Sequence, residues 1–234
     1  MTDCAYIDSS LNEVVHRMIN ASRDAGLTCA PTLVAAVKYA SDEEFLHLVR
    51  ECGVADGGEN RVQQLIAHKA LLSPEERDRI RFHFIGRLQT NKVKYLIGQT
   101  ELIHSLDSER LAEEIEKQSA MHETVTRVLV EINGADEKSK GGIAPSDAAE
   151  FCLSLARFPH IEQVGFMTMG PKFEKKADYE NYFLETYQLV LDIWREKLHN
   201  IKEPVISMGM SDSYETAIKC GANCVRVGRA LFGR

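Results

Sequence analysis

In PTLVAAVKYAS (residues 31–41) the aliphatic residues Leu33 to Val37 read as a strand buried on both faces, and Lys38 follows where another aliphatic is expected. Lysine is among the residues least often fully buried. In a partly dry pocket its ammonium form is disfavoured, which frees the amine as a nucleophile for a Schiff base. The plainer alternative is a strand-end lysine whose stem lies along the barrel wall while its head reaches water. Towards the other end of the chain, SMGMSDSYE (207–215) and VRVGRALFG (225–233) combine residue types that hold phosphate. Gly209 and Gly228 permit close backbone approach. Ser211 offers a hydroxyl at the expected start of a helix, where free N–H groups and the dipole favour an anion. The amides after Gly228 make a second short cradle, with Arg229 beside it. Taken singly, each of these glycine-serine stretches is an ordinary turn.

For groups so far apart in sequence to meet, the first strand end must lie beside the last two. The chain alternates short apolar runs, turns and helical patterns, which predicts parallel strands with crossover helices. Strands are expected over residues 33–37, 54–57, 81–85, 102–105, 126–132, 163–167, 204–208 and 224–228. Helices are expected near 42–52, 60–72, 89–97, 108–121, 146–156, 178–199 and 212–220, the third and seventh stopped by Gly98 and Gly221. Ser41 with Glu44 forms a capping box, and the long sixth helix carries a Tyr179–Tyr182–Phe183–Val190–Trp194 stripe. Eight strands predict one α/β domain over residues 1–234, a closed (β/α)8 barrel of the TIM type, with an open doubly wound sheet as the alternative. The sequence ends soon after Gly228, so the short C-terminal end leaves a gap in the helix ring. Ser10-Leu11-Asn12-Glu13 reads as a capping box and Leu11, Val14, Val15, Met18 and Ile19 as one apolar face. A helix over residues 10–20 is therefore expected to cover the gap.

In such barrels function sits at the C-terminal strand ends, and phosphate sites are frequently built by the loops after strands seven and eight. A Schiff-base lysine on strand one and a phosphate cradle across strands seven and eight together describe a pocket for pyridoxal 5′-phosphate (PLP). The aldehyde would meet Lys38, and the phosphate would sit near Ser211 and Gly228. Strand alternation leaves Arg226 either inward, at the pyridine nitrogen, or outward in a salt bridge. Facing the nitrogen, its permanent charge would disfavour protonation there and weaken the ring as an electron sink.

Further motifs extend over nearly the whole barrel: LVAAVK (33–38), GENRVQQ (58–64), HFIGRLQTNK (83–92), IHSLDS (103–108), SKGG (139–142) and GFMTM (165–169), followed by the two phosphate-type segments. With these the chain resembles the pyridoxal phosphate homeostasis protein family, relatives of the barrel domain of alanine racemase. The resemblance implies that Lys38 carries the cofactor, that Ser211, Gly228 and neighbouring amides hold its phosphate, that Arg226 faces the ring nitrogen and that Asn60 lines the cofactor face. Three positions depart from the family pattern. The usual threonine after the strand-eight glycine is Arg229, a cation that could strengthen phosphate holding or swing out to solvent. Gly57 and Arg61 stand where an aromatic residue and a tyrosine are common, so the wall beside Asn60 differs.

Composition bounds the remaining choices. A net charge of −7 argues against a nucleic-acid partner, and no apolar run approaches the ~20 residues of a membrane span. No signal peptide is visible at the N-terminus. The six cysteines are scattered without a Cys-x-x-Cys pair, which fits reduced thiols in the cytoplasm, and neither they nor the eight histidines show metal-ligand spacing. No metal is expected. His83 and His104 read as hydrogen-bonded core or rim groups, and the segments 134–142 (with Lys140) and 170–178 as solvated rim loops with lid potential. The expected function is to bind PLP and buffer or supply it without substrate turnover, with apo-PLP enzymes as possible recipients and a monomer or weak homodimer as the assembly. A PLP-dependent racemase or decarboxylase is the alternative, disfavoured by Arg226 and by the lack of sequence for a second domain. A Schiff-base aldolase acting on a sugar phosphate is a further one.

Overall fold

The computed structural model describes residues 4–134, 141–198 and 202–233. Eight parallel strands close into a barrel in sequence order: β1 (Thr32–Ala36), β2 (Asp56–Glu59), β3 (Arg81–Phe84), β4 (Leu102–Leu106), β5 (Thr126–Ile132), β6 (Ile161–Thr168), β7 (Val205–Ser207) and β8 (Cys224–Val227). β8 pairs back onto β1 with Thr32 opposite Cys224 and Ala35 opposite Val227, which rules out the open sheet. The expected strands match to within two residues at each end. The largest offset is at β2, whose Gly57-Gly58 carries no side-chain hydropathy to read. Gly58 is required there by space, since a Cβ would come within 2.7 Å of Val34 Cγ1 and 2.9 Å of Ile85 Cδ1.

The outer layer holds α1 (Ala5–Asp24), α2 (Asp42–Arg50), α3 (Val62–Leu71), α4 (Pro74–Arg77), α5 (Glu109–Met121), α6 (Ala148–Ser154), α7 (Lys176–Leu191), α8 (Tyr214–Lys219) and α9 (Arg229–Phe232). Ser41 and Glu44 form the expected capping box on α2. The segment expected as a helix at 89–97 is a 3-10 helix, Thr90–Tyr95, and the long helix passes from α7 into a π-helical turn at Asp192–Lys197. α4 and α9, four residues each, were too short to show a period in sequence.

The N-terminal helix does close the ring, although not as its sequence pattern suggested. It starts at Ala5, so Ser10 and Glu13 lie inside it rather than forming a cap. Its buried face is Ile7, Val14, Met18 and Ala21, with Leu11 half-buried; Val15 and Ile19 are turned to solvent. Two further turns at the N-terminal end set the direction of that face, and they could not be read from a stripe drawn over residues 11–19 alone. Polar contacts pin both flanks. Tyr6 bonds Glu44 and Asp8 bonds His47 on α2, while Arg17 pairs with Glu215 on α8 and Asp24 with Lys219 at its end. The helix thus spans the seam between the first and last crossover helices.

Most apolar residues fill the shell between strands and helices, including Ala35, Val37, Phe84, Val130, Phe166 and Val227. Inside the barrel the apolar part is small, a plug of Leu102, Leu129 and Met167. The rest of the interior is polar, and that is where the site lies.

Candidate functional site

At the C-terminal mouth a cavity of about 410 Å3 is lined by Lys38, Asn60, Ser211, Arg226, Gly228 and Arg229, among others. Of the residues expected in sequence to hold the cofactor, only Gly209 stays off the cavity wall. Gly209 is structural: its φ is +92°, and a Cβ there would lie 2.6 Å from Ala217 Cβ, so glycine lets β7 turn sharply into α8.

Lys38 sits in the turn just past β1, half-buried, with Nζ 4.7 Å from the ring centroid of Tyr39. Ala36 at the end of β1 and Lys38 in the turn after it both line the cavity. Asn60 follows β2. Its backbone is seated against Gly86, where a Cβ would fall 2.2 Å from Asn60 O, and its Oδ1 is buried with no hydrogen-bond partner. A buried unmatched amide oxygen on a cavity wall is a position where a ligand donor removes a cost of about 1–3 kcal/mol.

Ser211 was expected at a helix start, but α8 begins at Tyr214 with Ser213 as its N-cap. Ser211 lies in the preceding turn instead, where its Oγ accepts from the amides of Gly228 (3.3 Å) and Ala230 (3.2 Å). Those two N–H groups therefore converge on one point at the cavity edge, the geometry of a small anion nest. Gly228 is packed against β1: a Cβ would lie 2.9 Å from Ala36 O. Arg229 takes the solvent-facing course, paired with Asp212 in an exposed ion pair.

Arg226 points inward and is 5% exposed. Its guanidinium donates to Ser207 O (2.8 Å), Ser207 Oγ (2.5 Å) and Thr168 O (2.9 Å), so the outward salt-bridge alternative is excluded. Burial lowers its pKa from the ordinary value, with Cys224, Glu131 and Tyr182 acting the other way. Glu131, at the end of β5, has its carboxyl pushed up to about 7 by burial and by Asp107.

Sequence reading missed Ser207, a lone hydroxyl that carries no spacing signal. It also underrated the loop after β6, where Gly170, Pro171 and Lys172 form part of the cavity wall. Most of the loop 134–142, Lys140 included, lies outside the described residues. A second cavity of about 610 Å3 shares Asn60 and is bordered by Arg61, Arg87, Lys92, Arg110 and Asp107. Asp8, His47 and Cys52 bring one ligand atom each within 4.8 Å of one another. Asp8 already accepts from both His47 (3.2 Å) and Cys52 (3.1 Å), which accounts for the cluster without an ion.

A closed eight-stranded parallel barrel with this cavity at its mouth places the chain in one class, and residues 17–234 match the family model of the alanine racemase N-terminal domain. A protein of Aquifex aeolicus named pyridoxal phosphate homeostasis protein is 40% identical over 225 residues, covering 95% of this chain and 96% of that protein. One of the same name from Helicobacter pylori is 36% identical over 202 residues, covering 86% of each. Among solved structures, PipY of Synechococcus elongatus superposes with a TM-score of 0.83 without PLP and 0.79 with PLP bound, at 24% identity over 97% of this chain and 100% of that one. The chain belongs to the pyridoxal phosphate homeostasis protein family. No helix among the described residues is long and apolar enough to cross a membrane.

Proposed function

We propose that this protein holds PLP at Lys38 and manages its supply in the cytoplasm, handing it to apo-PLP enzymes as a monomer or weak homodimer, without turning over a substrate. The observation that carries the reading is the single cavity that gathers Lys38, Asn60, Ser211, Gly228 and Arg226. The names of the bacterial relatives, which refer to homeostasis of the cofactor and not to a reaction, support it.

The residues fit the group. The amides of Gly228 and Ala230, which now donate to Ser211 Oγ, would turn to the phosphate together with the Ser211 hydroxyl, and the tight packing of Gly228 on Ala36 leaves that backbone bare for close approach. Asn60 Oδ1 offers an unmatched acceptor to the cofactor face. PLP would supply an aldehyde for the Lys38 amine and a conjugated ring. Arg226 keeps a proton off the ring nitrogen, because a guanidinium at that atom disfavours a second positive charge. A ring left unprotonated is a poor electron sink, which suits storage and works against the racemase and decarboxylase alternative. Family membership gives no support to an aldolase.

The test is an absorption spectrum with excess PLP, before and after borohydride. The wild type is expected to show a reducible yellow species, with cofactor mass trapped on the peptide holding residues 33–44, and Lys38→Ala to stay folded and colourless. Loaded protein should activate an apo-acceptor enzyme. Turnover of any amino acid at an ordinary enzymatic rate, on the order of 1–10³ per second, would overturn the carrier reading.

A second prediction concerns the phosphate. Ser211→Ala removes the hydroxyl that gathers the two amides and is expected to weaken PLP binding by about 1–3 kcal/mol, the usual worth of hydrogen bonding to a charged group. Titration with pyridoxal, which lacks the phosphate, should show weak binding that hardly notices the change. Equal losses for both vitamers would place the phosphate elsewhere.

A further inference from the structure

No carboxylate among the described residues lies within salt-bridge distance of Arg226, although Glu131 is near enough to favour its charge, and Arg226 is only 5% exposed. Its fork ends on a hydroxyl and two carbonyls. Past that hydroxyl the contacts continue. Ser207 Oγ lies 3.0 Å from His104 Nδ1, His104 Nε2 lies 2.9 Å from His83 Nδ1, and His83 Nε2 lies 3.0 Å from Asp56 Oδ1. Asp56 opens β2 and Arg81, its bidentate partner at 2.7 Å and 2.7 Å, opens β3. Both therefore stand at the N-terminal mouth, opposite the cavity.

With a single proton on each ring, the direction of every bond follows from the Asp56 end. Burial opposes the charge of Asp56, but bonds from Arg81 and His83 outweigh it and lower its pKa to about 2, so it only accepts. His83 Nε2 must then carry a proton. In a neutral ring His83 Nδ1 must accept, so His104 Nε2 donates to it. Burial, with His83 and Arg226 nearby, drives the His104 pKa well below its ordinary value, so that ring is neutral and its Nδ1 accepts from the Ser207 hydroxyl. Ser207 Oγ keeps lone pairs for Arg226 Nη1. Cys224, beside Ser207, remains a thiol because burial pushes its pKa up to about 11.

We propose that Asp56, His83, His104 and Ser207 are positioning residues for Arg226: a one-directional hydrogen-bond chain that runs the length of the barrel interior, locks the guanidinium towards the cofactor ring and ties its charge to a carboxylate at the opposite mouth. This rests on the reading that PLP occupies the cavity with its ring nitrogen at Arg226. All donors point from Arg226 towards Asp56. Linked bonds of one sense polarise one another, so a change at the far end is felt at the near one. An interior packed with aliphatic layers, the usual filling of such barrels, would leave Arg226 with backbone carbonyls alone.

Nitrogen-15 spectra of the histidine side chains in the cofactor-free wild type test the chain without the cofactor. Both His83 and His104 should appear as neutral rings protonated at Nε2. A ring protonated at Nδ1, or at both nitrogens, would overturn the chain. Ser207→Ala, which cuts it beside Arg226, and Asp56→Asn, which keeps the shape but removes the terminal charge, test its effect. Both should still trap PLP on Lys38, but with a displaced absorption band and binding weakened by about tenfold in Ser207→Ala, the worth of one hydrogen bond to a charged group. Asp56→Asn should displace the band in the same direction by a smaller amount. Wild-type spectra and affinity in both variants would overturn the positioning role even if the tautomers are as expected. A wild type that takes up no PLP would instead sink the reading of the cavity, and the tautomer pattern would still decide whether the chain exists.

Discussion

A chain lacking residues 1–24 is expected to aggregate on expression, or to melt far below the intact protein. That segment contains all of α1, whose Ile7, Val14 and Met18 are 0%, 3% and 5% exposed. Fully burying a side chain of this kind is worth about 1.5–3 kcal/mol, so these three alone approach the ~5–15 kcal/mol total of an ordinary domain. Removing the helix also bares the shell it covers on α8 and α9, whose Tyr214, Ile218 and Leu231 are buried beneath the outer layer. The ion pairs from Arg17 and Asp24 are surface-exposed and add little. A pair of point variants separates packing from mere length. Val14→Asp should reproduce most of the loss, whereas Val15→Asp, at a position 39% exposed, should cost little. Equal melting temperatures for Val14→Asp and the wild type would show that α1 is an appendage.

The second large effect is a stability that falls as pH rises through neutrality. Burial, with Asp107 nearby, raises the Glu131 carboxyl from 4.5 to about 7 in the folded chain. The folded state therefore holds a proton between those values that the unfolded state has released. Stability from this group is fully present below about pH 4.5, declines as pH rises, and is lost above about 7. At about 1.4 kcal/mol per unit the change is on the order of 3–4 kcal/mol. Glu131→Gln removes the titration while keeping the shape. Urea unfolding at pH 5 and pH 8.5 should find the variant close to wild type at the lower pH and more stable at the higher one. The same gap at both pH values would mean that Glu131 titrates normally.

The barrel was legible because most of its strands carry apolar residues whose outward members, such as Val225 and Val227, pack under helices. Lys38 stood out for the same reason, as a charge ending a run of aliphatic residues. Elements whose identity is set by space or by distant partners were harder. The exact span of β2 hides in two glycines, one of which exists to leave room for Val34 and Ile85. Ser211 was found, but its part in gathering amides from the start of α9 depends on contacts across 17 and 19 residues that no local pattern encodes. His83 and His104 were rightly read as hydrogen-bonded interior groups. Their connection to Arg226 was out of reach, because it passes through a serine more than 100 residues further along.

The helix that seals the seam has a consequence for how the protein is made. Its partners on α8 lie 198 and 195 residues further along the chain and leave the ribosome correspondingly later. At ~5–20 residues per second, α1 waits roughly 10–40 s for the surface it must cover. Through that interval Ile7, Val14 and Met18 lack the α8 side of their cover, so α1 is secured long after it is made. Slower elongation late in the message should lengthen that exposure and lower the soluble yield without altering the finished protein.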